Sequence, residues 1–297
     1  MSRTRQLIAA LRDELGSADP LPRPVPIPAI PAPPARVYAP RPEVNPFAAE
    51  AAQHTTALVG IGHVGTRYAT DVVLQFQAEL AVAHAAVGTE LPERWGTENG
   101  FIGLKSRVTN HREFLLRPDL GRRLDEPSLA RVRGQCTKNV DVQIIVADGL
   151  SAVACMQTGK QLAELVAAQC HARGLTTGKL IAVRYARVWI EDEIGLEVGA
   201  KVAMILLGER PGLGTGDGLS AYVVHAPKLG NTDGDRNMIS NIHQRGIVPE
   251  LAAQRLAAFA AAMIAQHKSG VQLDLSALGE TSRAYREPQV RQRLVSR

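Results

Sequence analysis

Val140–Ala147 (VDVQIIVA) is the segment that most narrows the fold. It is short, nearly continuous in apolar residues and closed by Asp148-Gly149, the pattern of a strand buried on both faces. The same rhythm continues downstream. A helix is expected over Ser151–Arg173, a strand over Lys179–Arg187 and a short helix around Asp192–Val198. A second buried strand at Lys201–Leu207 (KVAMILL) ends in Gly208-Glu209-Arg210-Pro211-Gly212, and a further strand falls at Ser220–His225. A helix over Pro249–His267 is opened by Pro249-Glu250 and closed by Lys268-Ser269-Gly270. Buried strands alternating with helices predict an α/β fold, a Rossmann-like parallel sheet domain over residues 138–273 with helices on both faces.

The rest of the chain divides around that domain. Residues 49–137 read as a mainly helical region, with helices at Thr70–Val87 and Asn110–Leu116 and a turn-rich Gly88–Gly103 between them. Arg117-Pro-Asp-Leu-Gly-Arg-Arg-Leu124 breaks at Pro118 and leaves three arginines close together. Residues 1–48 read as an extension: Leu7, Ile8, Leu11 and Leu15 form a short amphipathic stripe, and eleven prolines follow between Pro20 and Pro46. So many missing donors favour extended polyproline II over packed structure, so this part is expected to be disordered. The tail at 274–297 is polar.

Several classes of function are disfavoured. The longest apolar run, Leu256–Ala265, is well short of the ~18–20 residues of a membrane span. Leu7–Leu11 is too short for a secretory signal. Cys136, Cys155 and Cys170 cannot all pair, and none sits in a Cys-x-x-Cys spacing, so reduced thiols in the cytoplasm are expected. The net charge of +5 is spread along the chain without basic blocks interleaved with aromatics, which gives a nucleic-acid partner little support.

In an open parallel sheet, ligands bind where the strands end. That rule selects Asp148-Gly149-Leu150-Ser151, Glu209-Arg210-Pro211-Gly212-Leu213-Gly214 and the region Asp233–His243, with Asp148, Glu209 and Arg210 as polar contacts and the glycines admitting a bulky ligand. Each acid alone reads equally as a cap or an ion pair. Gly60–Gly65 (GIGHVG) matches the G-x-G-x-x-G pattern of dinucleotide sites and supports a stand-alone oxidoreductase as the alternative function. The preceding apolar stretch is very short, and no second strand follows to hold a ribose-binding acid. Single histidines, the absence of H-E-x-x-H and of G-x-S-x-G, and an acid cluster at Glu191-Asp-Glu193 that suits a helix start leave no catalytic set and no metal site. His243 reads as structural. A third option is a structural protein that docks through its N-terminal helix and proline spacer.

Over residues 55–273 the chain resembles the small subunit of ethanolamine ammonia-lyase. The segments that carry the resemblance are GHVGTRYAT (62–70), RPDLGRRL (117–124), DVQIIVADGLS (141–151), VRYARVWIEDEIG (183–195), GAKVAMILLGERPGLGTGDGLSAYVV (199–224), DRNMISNIHQRG (235–246) and KSGVQL (268–273). The resemblance implies a hetero-oligomer in which a large barrel subunit holds the substrate and adenosylcobalamin lies between the two chains. Ethanolamine would be converted to acetaldehyde and ammonia by a radical route, only in the complex. It carries cofactor contacts over to Val188, Glu209 and Met238. The family usually has Cys where Met238 stands, and Gly-Arg-Ala-Gly where this chain has Gly62-His-Val-Gly65. A thioether cannot donate a hydrogen bond, yet it can keep a van der Waals contact. No D-x-H-x-x-G string occurs, so the cofactor is expected to keep its own lower base. The resemblance leaves two locations open, the cytoplasm at large and a bacterial microcompartment, the second with a shell protein as a further partner.

Overall fold

The computed structural model describes residues 50–51, 63–213, 216–244 and 246–278. The N-terminal helix, the proline-rich segment and most of the polar tail lie outside the described residues.

A two-stranded hairpin, β1 (His63–Val64) and β2 (Arg67–Tyr68), precedes α1 (Thr70–Gly88). Then come α2 (Trp95–Glu98), β3 (Ile102–Lys105), α3 (His111–Leu116) and α4 (Glu126–Gln135). The central strand β4 (Val142–Ala147) leads into α5 (Ala152–Ala154), a π-helical turn at Cys155–Gly159 and α6 (Lys160–His171). The chain continues through β5 (Ile181–Arg184), α7 (Ile190–Val198), β6 (Val202–Gly208), β7 (Leu219–His225), β8 (Arg236–Ile242) and α8 (Pro249–Gln266).

The main sheet has six strands in the order β3-β5-β4-β6-β7-β8. β3, β5, β4 and β6 are parallel; β6 with β7, and β7 with β8, are antiparallel. The expected parallel sheet is therefore a mixed one. The reason is connection length: residues 209–218 and 226–235 are too few for a parallel crossover, which takes about a dozen residues or more and usually a helix. The region read as mainly helical also supplies β3, which hydrogen-bonds alongside β5. It supplies α4 as well, capped by the Asp125 side chain, which accepts from Ser128 N at 2.8 Å.

Two apolar layers follow from the period-2 alternation of the strands. On one face Val142, Ile144 and Val146 join Val202, Met204 and Leu206 under α6 and α8. Alanines 252, 253, 257 and 260 of α8 are fully buried there, small enough for the helix to sit close to α6 and β7. On the other face Ile145, Ala147, Val183 and Ile205 meet Val132 of α4 and Ile190, Ile194 and Val198 of α7. All six residues of β4 are buried, which explains its unbroken apolar sequence. On this second face α4 lies over β3, and α7 over β4 and β6. The same side of β7–β8 is open: Met238 is 41% exposed, while Ile239 beside it is 1% exposed on the covered face.

Candidate functional site

The uncovered flank of β7–β8 and the ends of β4, β5 and β6 enclose a cleft of about 640 Å3. Gly149 and Leu150 reach it from the end of β4, Arg187, Val188 and Trp189 from the β5–α7 connection, and Leu207 to Arg210 from the end of β6. Ser220, Tyr222 and Met238 form the strand side, with Pro118, Arg122 and Asp233 around them.

Val188, Glu209 and Met238 all line this one cleft, although they come from a turn, a strand end and an antiparallel strand. Val188 sits in the turn that starts α7, where its carbonyl accepts from Glu191 N at 3.1 Å. Met238 faces outward opposite Tyr222. Glu209 is the best-anchored of the three. Its Oε1 accepts from the Ser220 hydroxyl and from Asn241 N at 3.0 Å, and its own N–H donates to Gly218 O at 3.0 Å.

The Asn241 amide is aimed at Glu209 by a β-bulge. Leu219 pairs with Ile242 and Ala221 with Ile239, so three intervals on β8 oppose two on β7. The extra residue falls at Ser240–Asn241, with Asn241 in the left-handed region at φ 60°. Both isoleucines thereby stay inward while an N–H is freed for the carboxylate. His243, buried beside it, contacts Asn241 Oδ1 at 2.6 Å and acts on the bulge rather than on the cleft.

Most of the region Asp233–His243 is thus a strand, β8 at Arg236–Ile242 after a 3-10 turn at Asp233–Asp235, and its flank forms one side of the cleft; its polar face had the appearance of a loop. Asp148 also departs from expectation. Its carboxylate is turned into the protein, where Oδ2 accepts from Tyr185 N at 2.6 Å and Oδ1 from Ala186 N at 3.0 Å. These bonds hold the end of β5, including Tyr185 at φ 55°. Burial raises the Asp148 pKa to about 6, outweighing the amides that favour the charged form. The glycines at the strand ends likewise serve the protein first. A Cβ on Gly149 would lie 2.3 Å from Gly208 O, and one on Gly208 2.2 Å from Ser151 O. They let the β4 and β6 loops cross, with Leu150 N donating to Gly208 O at 3.0 Å.

The acid cluster does start α7, but all three side chains are buried rather than solvated at the helix end. Arg236 at the start of β8 binds Glu191 through Nη1 at 2.5 Å and Asp192 through Nη2 at 2.5 Å, and Asn231 donates to Asp192 at 2.9 Å. Glu193 accepts from Arg123 Nε at 3.0 Å and Leu124 N at 2.6 Å. The three arginines of RPDLGRRL separate: Arg117 pairs with Asp119, Arg123 with Glu193, and Arg122 stacks on Trp189 at 3.8 Å beside the cleft.

Of the Gly60–Gly65 motif, Gly60–Gly62 lie outside the described residues. His63–Gly65 form the first strand and the turn of the exposed β1–β2 hairpin, not a strand-to-helix phosphate turn. Among the described residues no cluster of His, Cys, Asp or Glu could hold a metal ion, and no helix is long and apolar enough to cross a membrane.

The family model described as ethanolamine ammonia-lyase light chain (EutC) matches residues 46–274, from before α1 to beyond α8. That span contains the whole six-stranded sheet and every residue of the cleft. The chain belongs to the ethanolamine ammonia-lyase light chain family.

Proposed function

We propose that this chain completes an adenosylcobalamin-dependent ethanolamine ammonia-lyase by holding one side of the corrin against a large barrel subunit that carries the substrate. The observation that carries this reading is the convergence of Val188, Glu209 and Met238 on one open cleft. When bound, the cofactor supplies the radical that starts the conversion of ethanolamine to acetaldehyde and ammonia, by homolysis of its cobalt–carbon bond.

The residues present suit such a ligand. Leu150, Val188, Leu207, Tyr222 and Met238 offer apolar surface, and Glu209 is a fixed acceptor for the amide N–H groups around a corrin. The Met238 thioether makes its contact through dispersion rather than hydrogen bonding. Pockets of ~300–1,000 Å3 enclose drug-sized ligands, and a corrinoid is larger, so a cleft of about 640 Å3 serves as one wall and a partner supplies the other. This division gives the light chain binding and orientation of the cofactor and leaves substrate contacts to the large subunit.

The test is co-expression with a large subunit, followed by spectral titration with adenosylcobalamin and an acetaldehyde assay. The complex is expected to be active and the isolated chain inactive. Glu209→Ala is expected to weaken cofactor binding by about 1–3 kcal/mol, the scale of a lost polar contact. Unchanged affinity would remove Glu209 from the site, and a light chain that deaminates ethanolamine alone would end the proposal.

A further inference from the structure

One side of the cleft carries positive charge that the fold does not neutralise. Arg122, Arg187 and Arg210 line it from three separate segments. Among the described residues, none of the three forms an ion pair with a carboxylate. The two acids that share the cleft are held by neutral donors rather than by these arginines, Glu209 by Ser220 and Asn241 N, and Asp233 by Trp189 Nε1 at 3.1 Å, so three guanidinium groups face two carboxylates.

The arginines are also held in place. Arg122 places its guanidinium carbon over the Trp189 ring, 3.8 Å from its centroid. Arg187 lies over Phe114 at 4.1 Å and donates from Nη2 to Phe114 O at 2.8 Å, while its Nε is buried with no partner. Gly121 lets the segments bearing these two arginines meet, since its carbonyl accepts from Arg187 N at 2.8 Å and a Cβ would stand 2.8 Å from Arg187 Cγ. Burial pulls the Arg187 pKa below its usual value; Asp148 opposes that shift, and the charges of Arg122 and Arg210 add to it. Guanidinium groups gathered in this way are stabilised by an anion whose oxygens accept from several forks at once.

We infer that Arg122, Arg187 and Arg210 form a phosphodiester subsite, which receives the nucleotide tail of the corrinoid. The inference rests on the cofactor reading above. The peripheral side chains of the corrin are neutral amides, so the phosphodiester is the one anionic group on the ligand's periphery. Glu209 and the apolar strand side then face the ring, and the arginines fix where the tail leaves it.

The experiment titrates the light chain–large subunit complex with cyanocobalamin and with cyanocobinamide, which lacks the phosphodiester tail. Arg210 is exposed, and among the described residues its side chain forms no ion pair, so Arg210→Gln is expected to leave folding intact. This variant is expected to weaken cyanocobalamin about tenfold and to change cyanocobinamide by less than twofold. Arg122→Gln should do the same, and Arg210→Lys should restore part of the loss. Equal weakening of both ligands, or no weakening of cyanocobalamin, overturns the subsite. A wild-type complex that binds neither corrinoid overturns the cofactor reading as well, which separates the two failures.

Discussion

The two halves of the sheet are built for different purposes. From β3 to β6 the strands run parallel, helices cover both faces, and most side chains pack against protein, with Leu207 at the end of β6 reaching the cleft. From β7 to β8 the strands are antiparallel, α8 covers one face, and the other presents Tyr222 and Met238 to the cleft. The parallel half supplies rigidity and four strand ends that share one edge. The antiparallel half supplies an exposed flank and the bulge that fixes Glu209. A ligand edge needs both: strand ends alone give loops, and an open strand flank alone gives an unsupported surface.

Charge is buried differently in the two halves, and the largest expected effect comes from that difference. The antiparallel edge is tied to α7 by Arg236, whose side chain is 2% exposed, with Glu191 and Asp192 at 0% and 3%. Burial drives the Glu191 pKa upward, against the pull of Arg236. Arg236→Met strands two buried carboxylates and is expected to lower stability by about 3–5 kcal/mol in urea denaturation. Adding Glu191→Met and Asp192→Leu should recover most of that loss, because an apolar cluster can replace a buried ion triad. If the single change costs less than 1 kcal/mol, β8 is not held through this triad.

In the parallel half the buried charge is Asp148, bound to backbone amides and, among the described residues, to no cation within ion-pair distance. Its folded pKa of about 6 lies above the ordinary carboxylate value of 3.8. As pH rises from 4 to 6 the unfolded chain therefore releases this proton first. Stability from the group is present below about 4 and is lost as pH passes 6, by about 3 kcal/mol in total. Asp148→Asn abolishes that slope, so urea melts at pH 4 and pH 7 should show the variant gaining about that amount relative to the parent. A pH-independent gap between the two would mean that Asp148 stays ionised throughout.

How much of this was legible in the sequence follows the same division. β4 and β6 stood out because a strand covered on both faces has no polar alternation to hide it. β8 (RNMISNI) was obscured because its open face is polar and its bulge breaks the period at Ser240–Asn241. α4 escaped notice under its charged surface, although Asp125-Glu-Pro-Ser128 carries a cap and a helix-starting proline. Glu209 was accessible from the strand-end rule, whereas Asp148 obeys the same rule and points inward, a difference that only three-dimensional packing decides. Arg122 was visible as one of three arginines, but nothing local distinguished it from Arg117 and Arg123, whose partners lie elsewhere.

The smallest expected effect is the sharpest test of the open face. Met238 and Ile239 are neighbours on one strand, with 41% and 1% of their surfaces exposed. Ile239→Ala removes a side chain packed among Ala221 and the α8 residues and should cost about 2–5 kcal/mol in the isolated light chain. Met238→Ala removes one that meets solvent and should cost about 0.5 kcal/mol or less. In the complex the order should reverse for the ligand: under the proposed function Met238→Ala is expected to weaken corrinoid binding, since the thioether is proposed as contact surface for the ring. Met238→Cys, the residue usual in the family, should leave affinity within about threefold, since dispersion contact needs no donor. If Met238→Ala instead destabilises the isolated chain as much as Ile239→Ala does, the flank is covered by another part of the protein. The distinction between a load-carrying half and a ligand-facing half then fails at the residue chosen to represent it.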